Sequence, residues 1–100
     1  MPPEISIVIP AFEEVERVGD SITRILSFLQ EWSTASELIV VDDGSGDHTA
    51  ETVEAALQTA GNVSTKLIRY EKNRGKGFAV KTGLLAAAAD NQAPFAERSA

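Results

Sequence analysis

Leu38-Ile39-Val40-Val41-Asp42-Asp43-Gly44-Ser45-Gly46-Asp47 is the stretch from which the rest of the chain can be read. Its four apolar residues run without polar alternation, as in a parallel strand covered on both faces. Adjacent carboxylates and a Gly-Ser-Gly turn follow at once. In an open parallel sheet ligands bind beyond the carboxyl ends of the strands, so acids here face the place where a site forms. A carboxylate there can accept hydrogen bonds from a nucleobase N–H or from ribose hydroxyls. The alternative is an Asx-type turn built by Asp42, Asp43 and Ser45 ahead of a helix capped by Asp47. A turn needs only one acid, and the second repels the first.

Working outward, Ile5-Ser6-Ile7-Val8-Ile9 is β-branched and is expected to end at Pro10, which cannot donate to a ladder. Lys66-Leu67-Ile68-Arg69-Tyr70 interleaves charges with apolar residues, which suits an edge strand. Between the first two runs, Val18, Ile22, Ile25, Leu26, Leu29 and Trp32 recur at helical steps, predicting one buried stripe with Trp32 in the core. Asp47 or Thr49 can cap a second helix through Leu57, ended by Gly61-Asn62. A third helix, rich in alanine, runs from about Lys76 to Ala89, with Gly83 allowing close packing on the sheet. The order βαβαβα predicts an α/β fold, an open parallel sheet with right-handed crossovers and strand order 3-2-1. Residues 1–89 form one domain, and 90–100 read as an irregular tail. One edge of the first strand is then left without a partner, an association hazard. It predicts a homodimer through that edge, aggregation, or cover by residues 91–100.

Composition narrows the function. The 100 residues contain no cysteine and one histidine, His48, which excludes disulfides, thiol chemistry and multi-His metal sites. A net charge of −6 argues against a nucleic-acid or anionic-membrane binder. That figure hides a segregation. Twelve acids and two bases lie in residues 1–54, whereas 66–81 holds six bases against Glu71 alone. No apolar run approaches the ~20 residues of a bilayer span and no leader is evident, so the default compartment is cytoplasmic.

The other strand ends are polar too. In Glu71-Lys72-Asn73-Arg74-Gly75-Lys76-Gly77, amides opened by the glycines, flanked by Arg74 and Lys76, can hold a diphosphate; the plainer reading is a solvated basic loop. The spacing is not that of a P-loop. Pro10-Ala11-Phe12-Glu13-Glu14 lacks Gly-x-Gly-x-x-Gly, which disfavours an ordinary dinucleotide site. Phe12 is suited equally to stacking on a base or to the rim of the core. A phosphoacceptor receiver module would need its chelating acid pair after the first strand and an Asp after the third, whereas here the Asp pair follows the second strand and the third ends Glu71-Lys72-Asn73.

Together, Ser6–Glu14, Leu38–Ser45 with Asp47 and Thr49, and Asn73-Arg74-Gly75-Lys76-Gly77 with Ala79 and Gly83 resemble family 2 glycosyltransferases of the GT-A fold. With Arg17 and Arg-Gly-Lys-Gly-Phe-Ala, the pattern is similar to dolichyl-phosphate and polyprenyl-phosphate glucosyl- and mannosyltransferases, over residues 4–89. The resemblance implies the N-terminal, nucleotide-binding half of that fold. Pro10, Ala11, Phe12 and Glu13 would line the nucleotide pocket, Asp42 would recognise a base N–H and Asp43 would sit by the ribose. Arg74 and Lys76 would face the diphosphate. It further implies a donor such as UDP-glucose or GDP-mannose, Mg2+ or Mn2+, and inverting transfer to a lipid phosphate at the cytoplasmic membrane face. The family's fourth strand ends in a metal-holding Asp-x-Asp, and no Asp-x-Asp occurs in these 100 residues. The expectation is therefore a binding fragment inactive by itself; the alternative is a non-catalytic nucleotide-binding or interaction remnant.

Overall fold

β-Branched and aliphatic residues build the sheet, and their pairing carries each strand further than its apolar run. The computed structural model describes residues 3–32, 35–90 and 95–97. The elements are β1 (Ile5–Ala11), α1 (Val18–Gln30), β2 (Ser36–Asp43), α2 (Thr49–Leu57), β3 (Ser64–Tyr70), α3 (Lys76–Asp90) and β4 (Phe95–Glu97). All strand pairings are parallel, in the order β3-β2-β1-β4. The expected 3-2-1 order is present, with one strand added.

β1 does not end at Pro10 but continues to Ala11, paired with Asp42 of β2. Among the described residues β4 pairs with β1 only as far as Val8, so Pro10 lies past that ladder, where a missing N–H is tolerated. β2 runs on through both acids because β3 continues beside it, Asp42 opposite Arg69 and Asp43 opposite Tyr70. β4 corrects the reading of 90–100 as a uniformly irregular tail: Phe95, Ala96 and Glu97 pair with Ser6, Ile7 and Val8. The open edge thus gains cover from within residues 91–100 over that stretch; the rest of the tail call lies outside the described residues.

Alternation along the strands makes two cores. Ile7, Ile9, Leu38 and Val40 face α1 and α2, meeting Val18, Ile22, Leu26 and Leu29 of the α1 stripe and Val53 of α2. Val8, Ile39 and Val41 face α3, meeting Ala79 and Ala87. A Cβ on Gly83 would lie 2.3 Å from Val8 Cγ1, so glycine is what lets α3 approach the sheet. Trp32 departs from its predicted core position: α1 ends at Gln30, the periodicity stops with it, and the ring lies 42% exposed against Phe28.

Candidate functional site

Because Asp42 and Asp43 both lie within β2, their side chains leave opposite faces of the sheet. Asp43 emerges on the α3 side. Its Oδ1 accepts the Arg74 N–H at 2.7 Å, and its Oδ2 accepts the Asn73 carboxamide at 3.0 Å. The same carboxamide donates to the Asp43 carbonyl at 3.1 Å. A clamp of this kind needs the β3–α3 loop pressed against the end of β2. Gly44 permits it: φ is +74°, and a Cβ there would stand 2.3 Å from the Asn73 nitrogen.

Asp42 emerges on the α1/α2 side and is fully buried. Its Oδ1 accepts the Ser45 N–H at 3.3 Å, while Oδ2 lies 3.5 Å from Arg69 Nε without a hydrogen bond among the described residues.

After β1 the chain turns sharply at Glu13, whose φ is +48°. A left-handed residue here sends Glu13 outward and brings Glu14 round toward the sheet. The Glu13 N–H donates to Ser45 Oγ and the Glu14 N–H to Thr49 Oγ1, both at 2.9 Å. The Glu14 carboxylate accepts the Phe12 N–H and pairs with Arg17, each at 3.4 Å. Thr49 in turn donates its hydroxyl and its N–H to Asp47 Oδ1. Those bonds, the Thr49 hydroxyl foremost, hold the Asp47 carboxyl below its ordinary pKa against an opposing contribution from desolvation.

These ends enclose a hollow of about 330 Å³ lined by Pro10, Ala11, Phe12, Glu14, Asp43, Asn73, Gly75 and Lys76. Of the residues chosen from sequence, Pro10, Ala11, Phe12, Asp43 and Lys76 come together there. Glu13, Asp42 and Arg74 do not line it: Glu13 because of its backbone turn, Asp42 because of strand alternation. Arg74 lays its guanidinium over the Phe78 ring, 5.0 Å from the centroid, and Phe78 meets Tyr70 edge-on at 5.4 Å. That stack walls a second, open groove of about 640 Å³ with Glu71, Lys72 and Thr82. Sequence reasoning missed Glu14 and Asn73 as lining residues. Glu14 was present in the acidic run, but only the φ of Glu13 separates the two glutamates.

The hollow therefore combines an apolar wall (Pro10, Ala11, Phe12), two carboxylates and a cationic lip at Lys76 beside Gly75, whose φ is +95°. It is suited to a ligand with a flat polar ring at one end and an anionic group at the other. Among the described residues no cluster of three or more His, Cys, Asp or Glu could hold a metal ion. No helix among them is long and apolar enough to cross a membrane.

Residues 6–92 match the family model described as Glycosyl transferase family 2. The dolichyl-phosphate beta-glucosyltransferase of Dictyostelium discoideum is 35% identical over 86 residues, 81% of this chain and 26% of that protein. The dodecaprenyl-phosphate galacturonate synthase of Rhizobium johnstonii is 30% identical over 81 residues, 81% of this chain and 24% of its own length. Among solved structures, the mannosyltransferase PcManGT from Pyrobaculum calidifontis, in complex with GDP-Man and Mn2+, superposes with a TM-score of 0.66 at 25% identity. It covers 86% of this chain and 25% of that one. The chain thus spans about a quarter of the length of the relatives it matches.

Proposed function

The chain belongs to glycosyl transferase family 2, and on that premise we propose that its hollow binds the nucleoside diphosphate end of a sugar-nucleotide donor. Its parallel strands and alternating helices are those of the N-terminal half of a GT-A glycosyltransferase. The single observation that carries the proposal is the convergence of three strand ends on one hollow with acids on one wall and Lys76 on another. Phe12 and Pro10 offer the apolar surface against which a base rests. Glu14 and Asp43 offer acceptors for ribose hydroxyls or a base N–H. Lys76 and the amides around Gly75 face the diphosphate, where fixed positive charge counters the charge that grows as the nucleotide departs. Asp42, fully buried next to Asp43 in β2 and carrying an oxygen with no hydrogen bond among the described residues, stays a candidate for the base N–H. Arg74 borders the phosphate side from the Phe78 stack, and Glu13 lies outside as a rim acid.

The donor classes proposed are UDP-glucose and GDP-mannose, and the acceptor is a polyprenyl or dolichyl phosphate. The names of the relatives support the lipid phosphate, and the GDP-Man complex supports the nucleotide sugar. The proposed location is the cytoplasmic face of a membrane, which the resemblance to lipid-phosphate glycosyltransferases implies. In the relatives' family a divalent ion supports departure of the nucleotide, as the Mn2+ complex suggests. We propose that these 100 residues by themselves bind without transferring, on the ground that they contain no Asp-x-Asp.

The test is calorimetric titration of the intact chain with UDP, GDP and their glucose and mannose conjugates. One nucleoside diphosphate should bind, with affinity weakened about tenfold by Lys76→Ala, the scale of one charge-assisted contact. No binding by any of them, with the circular dichroism of a folded α/β protein intact, overturns the proposal.

A further inference from the structure

Two consecutive backbone amides of the β1–α1 turn are gripped by side chains from the β2–α2 loop and the first residue of α2, more than thirty residues away. Glu13 donates to Ser45 Oγ and Glu14 to Thr49 Oγ1, both at 2.9 Å, and the Thr49 hydroxyl in turn donates to Asp47 Oδ1. The N-cap of α2 is His48, with no side-chain cap bond, rather than the expected Asp47 or Thr49, and the bond from the Thr49 N–H to Asp47 is an Asx-type turn ahead of the helix. That turn does not account for the rest: it has no need of a hydroxyl turned to accept from Glu14, nor of Ser45 reaching Glu13. Thr49 is fully buried, so its hydroxyl is committed to these two partners, accepting from Glu14 and donating to Asp47. Ser45 is itself tied to the sheet through Asp42.

What the grip secures is a left-handed, non-glycine residue. Glu13 holds φ +48°, a conformation that costs an ordinary residue on the order of 1 kcal/mol and persists where its surroundings over-determine it. With it in place, Glu13 faces out and Glu14 lines the hollow. If the turn relaxed to an ordinary φ, the two glutamates would no longer be sorted in this way.

We infer that Ser45, Asp47 and Thr49 form a latch that positions Glu14 in the hollow, making them positioning residues for the sugar-nucleotide site. The inference rests on the reading of the hollow given above. None of the three lines the hollow: Ser45 and Thr49 act through the backbone of residues 13 and 14, and Asp47 acts by holding the Thr49 hydroxyl.

The experiment pairs Thr49→Val, which keeps the shape and loses the hydroxyl, with Thr49→Ser, which keeps the hydroxyl. UDP and GDP are titrated separately into each intact chain, and amide exchange is followed by NMR. Thr49→Val should weaken binding of the preferred nucleotide about tenfold, the loss of a net hydrogen bond or slightly more. Thr49→Ser should stay within about twofold. In a Glu14→Ala background Thr49→Val should cost nothing further, because the residue it positions is gone. Losses that multiply in the double variant would mean that Thr49 merely supports α2, and would overturn the inference. In the free protein, Thr49→Val should speed exchange at the Glu14 amide and Ser45→Ala at the Glu13 amide, while core amides of β2 stay protected. Unchanged exchange at those two amides overturns the latch whether or not a nucleotide binds. Absence of binding by the unmodified chain counts against the hollow's function, and the exchange result then decides the latch by itself.

Discussion

The two faces of this sheet are filled by different means. The α1/α2 face is thick, with long aliphatic side chains such as Ile22, Leu26 and Leu29 buried against Ile7, Ile9 and Leu38. The α3 face is thin, with Ala79, Ala87 and Gly83 bringing a helix backbone close to Val8 and Val41. A thick face derives stability from the area it removes from water, a thin one from closeness of approach. The first should therefore fail when atoms are removed and the second when they are added. The hollow opens on the thin side, at the entry of α3, where Lys76 begins the helix.

The largest effect expected from this contrast is on the thick face. Leu26→Ala should lower the unfolding free energy by about 3 kcal/mol, since it leaves a cavity in a fully enclosed layer; urea denaturation reads it directly. Leu85, on the outer side of α3 and 62% exposed, should tolerate the same change within about 0.5 kcal/mol. Equal losses at both positions would break the contrast.

Next comes Gly83→Ala. At an exposed helical position alanine would add up to about 1 kcal/mol. Here the added Cβ would fall 2.3 Å from Val8 Cγ1, so the sign should reverse, to a loss of about 1–3 kcal/mol. Combining it with Val8→Ala, which removes the opposing methyls, should leave the pair less damaging than the two single losses added together. Simple additivity would show that closeness to Val8 is not what the glycine provides.

How much of this was legible in the sequence differs from element to element. The apolar runs of β1 and β2, the end of α2 at Leu57 and the packing role of Gly83 rest on local pattern, and pattern is what a sequence displays. The outer extents of the strands are not local. Asp42 and Asp43 join β2 because Arg69 and Tyr70 continue the ladder beside them, and this alone puts the two acids on opposite faces. β4 has three residues and no periodicity of its own, and it exists because β1 offers an edge. The choice of Glu14 over Glu13 depends on one backbone angle held by side chains from another loop.

The two adjacent acids give the smallest and sharpest test. Asp43→Ala leaves the Arg74 N–H without its acceptor and the Asn73 carboxamide with only the residue 43 carbonyl, and should cost about 1–3 kcal/mol. Asp42→Asn gives up a 3.5 Å contact with a half-exposed Arg69 and leaves an oxygen able to serve Ser45, so it should stay within about 1 kcal/mol. Urea midpoints of the two variants side by side give the comparison. A larger loss at Asp42 would reverse the structural roles assigned to the pair.

The wall of the hollow draws on residues 10–12, 14, 43, 73, 75 and 76, gathered at the ends of three separate strands. No contiguous peptide excised from this protein could reproduce it, and the cavity vanishes the moment any one of those strands detaches. A molecule seated there must leave before the sheet can come apart, so through mass action it acts as a brace on the whole tertiary structure. Recognition and folding thereby share a single reservoir of free energy.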